Sequence, residues 1–452
     1  GSLPGFSGMR PVTEVCIDSR AVGKDSLFVA LRGARTDGHR YCADAVKAGA
    51  SVLLISESFA RENMDRCEEL QRSADLVVVP DTLAALQSLA RWYMEGFLEV
   101  KRIGITCSTG KTTTKEIIGA ILSRSVPTVI NEGNLNSESG LPLAAFKVRR
   151  EHQYAVFEMG MNRVGEMDIL ADIVRPRIAV ITNIGSAHIG ILGSRDAIAR
   201  EKKKVFSFFT DTSVGFVYED DLYRDFLAEG VRGRILTFGR RTTRGFEGAV
   251  ARGLSGYEIR YKGTSFSFPL IGEHNLTNAL CALSVAEELG IPLSAVSEGM
   301  ESIKPLFGRS EIISGEVTLI VDCYNANADS MAQAIATVKE LAWDGRKILV
   351  LGSMLELGED SAAAHRGIGN LAAGSGADAV FFFGEETEEG KHALDEAGYE
   401  GYSLYTTDFD TLSRSVANFV RPGDLVLLKG SRGMELERLL AVFKRKGRVA
   451  LC

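Results

Sequence analysis

Residues 106–113 read Thr106-Cys107-Ser108-Thr109-Gly110-Lys111-Thr112-Thr113, between a short apolar run at 103–106 and a helical stretch from about residue 112. This strand–turn–helix unit constrains the fold more than any other segment. The start of a helix exposes unpaired N–H groups and about half a positive charge. Gly110 lets backbone approach an anionic oxygen closely, Lys111 is placed to neutralise β/γ-phosphates, and the Thr112 hydroxyl is placed to hold Mg²⁺. The unit predicts a nucleotide site made from Ser108, Thr109, Gly110, Lys111, Thr112 and Thr113. The plainer alternative is an ordinary strand–turn–helix with a solvated lysine.

The same alternation recurs on both sides. Residues 26–31, 51–55 and 76–79 read as strands, with helices at 41–48 and 82–94. After 103–106, the runs 155–159 and 178–184 are strands, and 212–269 is strand-rich with no long helix after about 229. A helix at 275–289 ends at Gly290, and a third rhythm starts near 312, with strands at 318–322, 348–352, 379–383 and 425–428. Continuous apolar strands alternating with helices predict parallel sheets covered on both faces. The expected fold is α/β in three domains: a small α/β domain at 1–100, a central P-loop-type ATPase domain with a mainly parallel sheet at 101–310, and a Rossmann-like domain at 311–452. No internal repeat or low-complexity segment interrupts this pattern.

Charge and cysteine usage narrow the function. A net charge of -7 gives no global basic field, which argues against nucleic acid as a partner. The seven cysteines, at 16, 42, 67, 107, 281, 323 and 452, are odd in number and form no C-x-x-C pair. That suits reduced thiols in a cytoplasmic protein better than a disulfide or zinc framework. No signal peptide opens the chain, and no apolar run approaches the roughly 20 residues of a membrane helix. Gly1-Ser2 reads as a cloning remnant.

Further segments follow in order. Asp18-Ser19-Arg20, Leu31-Arg32-Gly33 and Asp37-Gly38-His39 precede the phosphate turn. After it come Asn134-Leu135-Asn136-Ser137-Glu138, Phe157-Glu158-Met159-Gly160-Met161 and Thr182-Asn183-Ile184-Gly185-Ser186-Ala187-His188. Then follow Gly272-Glu273-His274-Asn275-Leu276-Thr277-Asn278-Ala279, Asp322-Cys323-Tyr324-Asn325-Ala326-Asn327, Ser353-Met354-Leu355-Glu356-Leu357-Gly358 and Lys429-Gly430-Ser431-Arg432. Over nearly the whole chain this set resembles the Mur ligases. The Y-N-A-N and M-L-E-L-G segments are most similar to the MurF branch, which adds D-alanyl-D-alanine to UDP-N-acetylmuramoyl-tripeptide. The turn is not a standard Walker A, which needs glycine where Ile105 stands; it is similar to the shorter T-G-x-x-G-K-T loop of Mur ligases and folylpolyglutamate synthetases. Cys107 stands where that family has glycine. If the position needs φ > 0, cysteine is strained there, with lower nucleotide affinity or thiol-sensitive activity as the consequence.

The resemblance implies an ADP-forming, ATP-dependent peptide ligase of peptidoglycan precursor synthesis. A carboxylate does not react with an amine at neutral pH. Transfer of the ATP γ-phosphoryl group makes an acyl-phosphate, which the amine attacks through a tetrahedral intermediate. Such a site holds two anions together and needs metal ions and cationic groups. Glu158 ends a buried strand, where α/β sheets present ligands, and the lack of a Cys/His cluster favours Mg²⁺ over zinc. By resemblance Lys111 bridges the ATP phosphates, and Thr112, Glu158, His188 and Lys202 are the metal ligands, Lys202 once carbamylated. The family reads A-K-G-E where this chain reads Glu201-Lys202-Lys203-Lys204, and the alternative is a solvated lysine face. Asn275, three residues before Asn278, would contact adenine, with helix capping as the alternative; Arg309 and Asp322 would also contact the nucleotide. Ser19, Arg20 and Arg32 would bind the UDP end of the substrate, and Asn134 and Asn136 lie on its path. Tyr324, Asn325, Asn327 and Glu356 are candidates for the dipeptide, against purely structural roles. Ala328 replaces the proline usual after Y-N-A-N, which should loosen one turn. Three domains around one site imply closure of a monomer, shielding the acyl-phosphate from water. Two alternatives stay open: another amino acid ligase of the Mur or folylpolyglutamate type, and a nucleotide-binding regulatory protein that does not ligate. The set Glu158, His188 and Lys202 argues against the second.

Overall fold

Apolar runs of strand length become the inner strands of three parallel sheets. The computed structural model describes residues 12–33 and 36–445, so Gly1, Ser2 and Cys452 lie outside it. β1 (Glu14–Cys16), β2 (Ser26–Val29), β3 (Ala50–Ser56) and β4 (Asp75–Val79) form a parallel sheet in that order. Successive side chains of β2 alternate between faces: Phe28 packs with Cys42, Ala45 and Phe59, whereas Leu27 and Val29 pack with Leu86. Leu86 lies on the helix Thr82–Glu95, whose Ala90 and Met94 enter the core of the next sheet. One helix therefore ties the first two sheets together.

The second sheet contains β5 (Lys101–Thr106), β6 (Thr128–Ile130), β7 (Tyr154–Glu158), β8 (Ile178–Ile181), β9 (Val214–Tyr218) and β10 (Arg234–Phe238). Its order is β10-β9-β8-β5-β7-β6, all parallel. The winding reverses at β5, so the C-terminal ends of β5, β7 and β8 open onto a common crevice, the place where open α/β sheets bind ligands. Ile103, Ile105, Val156 and Val180 face the helices Lys111–Ser123 and Glu273–Glu288; Phe157, Ala179 and Ile181 face Met167, Leu170 and Ile198. A three-stranded antiparallel sheet, β11 (Phe246–Ala251), β12 (Tyr257–Tyr261) and β13 (Thr264–Phe268), adds Ile259, Phe266 and Phe268 to the first of these cores.

The last sheet contains β14 (Glu311–Ile313), β15 (Thr318–Asp322), β16 (Lys347–Gly352), β17 (Ala379–Phe383), β18 (Tyr402–Thr406) and β19 (Leu425–Lys429). Its order is β14-β15-β19-β16-β17-β18, parallel except for β14. This is the expected doubly wound α/β architecture with an antiparallel edge.

Several expected boundaries move. The run 178–184 leaves the sheet at Ile181, because Asn183 turns away to bond the phosphate turn. The run 26–31 pairs only to Val29, after which Arg32 makes an isolated bridge to Asp37. The helix expected at 41–48 opens as a 3-10 turn, Gly38–Tyr41, and becomes α-helical at Cys42–Ala48. The turn after Asn327 is not loose. Asn327 Oδ1 accepts the Ser330 N–H (2.9 Å) and Ser330 Oγ accepts the Asn327 N–H (3.0 Å), a complete capping box that holds the helix Ala328–Glu340 without proline.

Candidate functional site

The helix Lys111–Ser123 starts directly after Gly110, which takes φ +86°. Asn183 fixes the turn from the neighbouring strand end: its Oδ1 accepts the Thr109 N–H (3.0 Å) and its Nδ2 donates to the Thr109 carbonyl (2.8 Å). The Gly185 N–H donates to Ser108 Oγ (2.8 Å). The Cys107 carbonyl accepts two amines, Lys111 Nζ at 2.6 Å and Lys202 Nζ at 2.9 Å. Cys107 itself does not adopt positive φ. Its Sγ donates to the Thr109 carbonyl (2.7 Å), and burial pushes its thiol up. The strain expected from cysteine at this position is therefore absent, and a buried neutral thiol gives no basis for thiol-sensitive activity.

Lys202 is fully buried, so the solvated lysine face is excluded. Burial, and then the Lys111 charge, bring its amine down to about 7. The neighbouring side chains point elsewhere: Lys203 Nζ donates to the Phe226 carbonyl (2.6 Å) and Lys204 Nζ to Asp168 (2.6 Å). Among the three consecutive lysines, Lys202 alone meets the phosphate turn.

Glu158 ends β7 and is 2% exposed. Asn136 Nδ2 donates to its Oε1 (2.6 Å), whereas Oε2 is buried with no hydrogen-bond partner among the described residues. A buried, half-satisfied carboxylate costs free energy unless a cation or donor completes it. Asn131 holds the strand end, accepting the Glu158 N–H (2.8 Å) and donating to the Glu158 carbonyl (3.1 Å). The fully buried Lys115 donates to the Asn131 carbonyl (2.6 Å), which links the phosphate helix to this hub. His188 takes φ +65°, and its Nδ1 lies 3.3 Å from Glu356 Oε2. Burial, then the charges of Lys111 and Lys202, lower its pKa, which favours a neutral ring able to offer a lone pair.

These groups surround one cleft of about 260 Å³. Ser108 to Thr113, Asn134, Asn136, Glu158, His188, Asn275, Asn278, Arg309, Asp322, Tyr324, Asn325 and Asn327 all face it. Asn275 and Asn278 are tied at 3.4 Å, with Asn275 Nδ2 held by the Ile271 carbonyl (2.8 Å). The Arg309 guanidinium lies 4.1 Å from the Tyr324 ring centre, and Lys429 Nζ lies 3.0 Å from Asp322 Oδ2. Lys202 lies beneath the turn, and Glu356 reaches the site through His188. Ser19, Arg20 and Arg32 are not at this cleft; Arg20 pairs with Asp18 at 2.6 Å and Arg32 with Asp37 at 3.3 Å. No group of three or more His, Cys, Asp or Glu able to hold a metal occurs among the described residues. A cation here would take most of its ligands from phosphate and water, the habit of Mg²⁺, and Glu158 Oε2 fits such a cation.

Comparison with known proteins accounts for this arrangement. Residues 11–93 match the Mur ligase family catalytic domain, 105–286 the Mur ligase middle domain, and 308–432 the Mur ligase glutamate ligase domain. Over 441 residues the chain is 42% identical to the UDP-N-acetylmuramoyl-tripeptide–D-alanyl-D-alanine ligase of Treponema pallidum (strain Nichols), covering 97% of this chain and 95% of that protein. The chain belongs to the Mur ligase family. As a Mur ligase it superposes on MurF from Acinetobacter baumannii with a TM-score of 0.83 at 31% identity, covering 95% of this chain and 93% of that one. MurF ligase from Thermotoga maritima in complex with ADP gives a TM-score of 0.80 at 27% identity, covering 96% and 97%. In this Mur ligase Lys429 also lines the cleft, Asn183 and Asn131 hold Thr109 and Glu158, which line it, and Lys115 holds Asn131; none of the four was among the candidate site residues. Asn183 and Lys429 stood inside quoted motifs. Asn131 opens the N-E-G-N-L-N segment; Lys115 gave no sequence signal, because a lysine four residues after Lys111 reads as a solvated helix residue.

Proposed function

We propose that this Mur ligase joins D-alanyl-D-alanine to UDP-N-acetylmuramoyl-tripeptide, converting ATP to ADP and phosphate in peptidoglycan precursor synthesis. The end-to-end match to a ligase of that name carries the reading, and the geometry supports the chemistry. The terminal carboxylate of the tripeptide attacks the γ-phosphorus of ATP and ADP departs. The dipeptide amine then attacks the acyl carbon and loses its proton, and phosphate leaves. The start of the Lys111 helix and the Lys111 amine stabilise the charge gathering on the transferred group. Thr112, Glu158, His188 and carbamylated Lys202 are the residues that would hold Mg²⁺, which when bound screens the triphosphate and polarises the phosphoryl group.

Carbamylation bonds the neutral amine nitrogen to the carbon of CO₂ with loss of a proton. An amine near 7 is neutral often enough for this at physiological pH, whereas an ordinary lysine is not. The carbamate would face Lys111 as an anion, relieving the repulsion between two amines on one carbonyl. We assign the substrate's UDP end to residues 1–100 through Ser19, Arg20 and Arg32. ATP belongs to residues 101–310 through the phosphate turn, Asn275, Asn278, Arg309 and, across the junction, Asp322. Residues 311–452 receive the dipeptide through Tyr324, Asn325, Asn327 and Glu356, with Asn134 and Asn136 along the tripeptide. The enzyme acts as a cytoplasmic monomer in this reading. The described cysteines are free thiols, one chain supplies the whole cleft, and no described helix is long and apolar enough to cross a membrane.

Incubation with ATP, Mg²⁺ and UDP-N-acetylmuramoyl-tripeptide, with the amine varied and products identified by mass, tests the reading. ADP release should require D-alanyl-D-alanine and match amide formation one for one. Release indifferent to the amine, or driven better by a single amino acid, would reject it.

A further inference from the structure

The last sheet grips the 183–190 segment from two sides. On one side stands Asp329, in the first turn of the helix Ala328–Glu340. Its Oδ2 accepts both the Ser186 N–H (2.7 Å) and the Ser186 O–H (2.8 Å), and its Oδ1 lies 3.5 Å from the Arg195 guanidinium. On the other side Gly190 packs on the chain around Glu356 and Gly358, where an added Cβ would stand 2.6 Å from the Glu356 carbonyl. His188, between them, meets the Glu356 carboxylate.

An acidic residue in a first helical turn commonly serves its own helix. Here that need is already met by Asn327 and Ser330, and the Asp329 carboxylate turns to a segment 143 residues away. The held residue is well placed to transmit position. Ser186 adjoins Gly185, whose N–H bonds Ser108 in the phosphate turn, and precedes His188 by two residues. Gly185 leaves no room for a side chain, since a Cβ there would lie 2.3 Å from Asp329 Oδ2. A single carboxylate from the dipeptide-receiving sheet thus holds the backbone that runs from the Ser108 contact to His188.

We propose that Asp329 is a positioning residue. It latches the last sheet to the Ser186 turn and so makes assembly of the phosphoryl-transfer site conditional on docking of the unit that brings the amine. This rests on the ligase reading above. It adds a specific coupling: phosphoryl transfer waits for the docked sheet because the acceptor oxygen for Ser186 arrives with it.

The test compares wild type with Asp329→Ala, Asp329→Asn and Ser186→Ala in the full chain. Asp329→Ala removes a charged acceptor from two donors, and kcat should fall about tenfold or more. ADP affinity measured calorimetrically without other substrates should change by less than about threefold, because the turn keeps its Asn183 and Ser108 bonds. Small-angle scattering with ADP and UDP-N-acetylmuramoyl-tripeptide should show wild type contracting and Asp329→Ala remaining extended. Asp329→Asn retains an oxygen for Ser186 and should restore both readouts, which a merely structural loss of charge would not. Ser186→Ala, which removes only the hydroxyl donor, gives a milder version of the same split and serves if Asp329→Ala fails to fold. Wild-type kcat and scattering in Asp329→Ala, or no restoration by Asp329→Asn, overturns the latch. Absence of amide formation by wild type instead defeats the ligase reading, and the scattering comparison still judges the latch.

Discussion

In the proposed reaction two side chains are central, and each is buried in a state it would not choose alone. Glu158 keeps one oxygen without a partner among the described residues, and Lys202 donates its amine to the Cys107 carbonyl in the shadow of Lys111. Left as an ammonium, Lys202 would oppose folding, since burial lowers its pKa; the cost is present below about 7 and fades as pH rises from there toward the ordinary lysine range. The proposed carbamylation would remove that cost by replacing the cation with an anion. Wild-type protein exchanged with ¹³C-bicarbonate should therefore give a carbamate carbon signal that strengthens as pH rises through about 7 at fixed dissolved CO₂. Lys202→Ala should lack the signal and lose most activity, with short-chain carboxylic acids restoring part of it and bicarbonate restoring none. Full activity in Lys202→Ala would dismiss the carbamate.

At the scale of the element, the phosphate turn and its helix act as one unit. Gly110 supplies φ +86°, and a Cβ there would lie 2.7 Å from Asn278 Oδ1. Gly110→Ala should cost about 1–2 kcal/mol of stability from the left-handed backbone alone and displace Asn278, weakening ADP binding; unchanged melting and unchanged calorimetric affinity would contradict this. Lys115 ties the same helix to Asn131 and so to the end of β7. Its ammonium is expensive to bury, but Lys115→Met leaves the Asn131 carbonyl unpaired, and the net loss expected in denaturant unfolding is about 2 kcal/mol. A variant as stable as wild type would mean that relief of desolvation wins. These elements differ in how legible they are from sequence. β8, β17 and β16 after Lys347 are buried on both faces, so each reads as an unbroken apolar run. β6, β14 and β18 are half-exposed edge or near-edge strands of three to five residues, with no such run, and they went unanticipated. The motifs of the second and third sheets led to the cleft because their residues end strands or start helices, whereas Ser19, Arg20 and Arg32 of the first sheet lie away from it. Lys115 and Asp329 gave no such lead, since a charged residue on a helix looks solvated until tertiary packing buries or captures it.

For the whole molecule, the decisive property of the proposed reaction is that its two halves would lie on different sheets. The nucleotide turn belongs to the second sheet, while Tyr324, Asn325 and Glu356 belong to the last, and they meet where Gly190 packs on the Glu356–Gly358 backbone without a side chain between. An acyl-phosphate made before the amine is in place would be lost to water, so tight docking is what turns ATP use into amide yield. A wedge at this seam should separate the two. Gly190 is exposed and has no positive φ, so Gly190→Leu alters the docking surface rather than the local backbone. The variant should keep its ADP affinity and melting behaviour while releasing more than one ADP per amide formed, with the excess appearing as free phosphate and unchanged tripeptide. Measured together by coupled ADP assay and product mass, a ratio that stays at one, even at reduced rate, would show that water is excluded by the second sheet alone and that the seam contributes only speed.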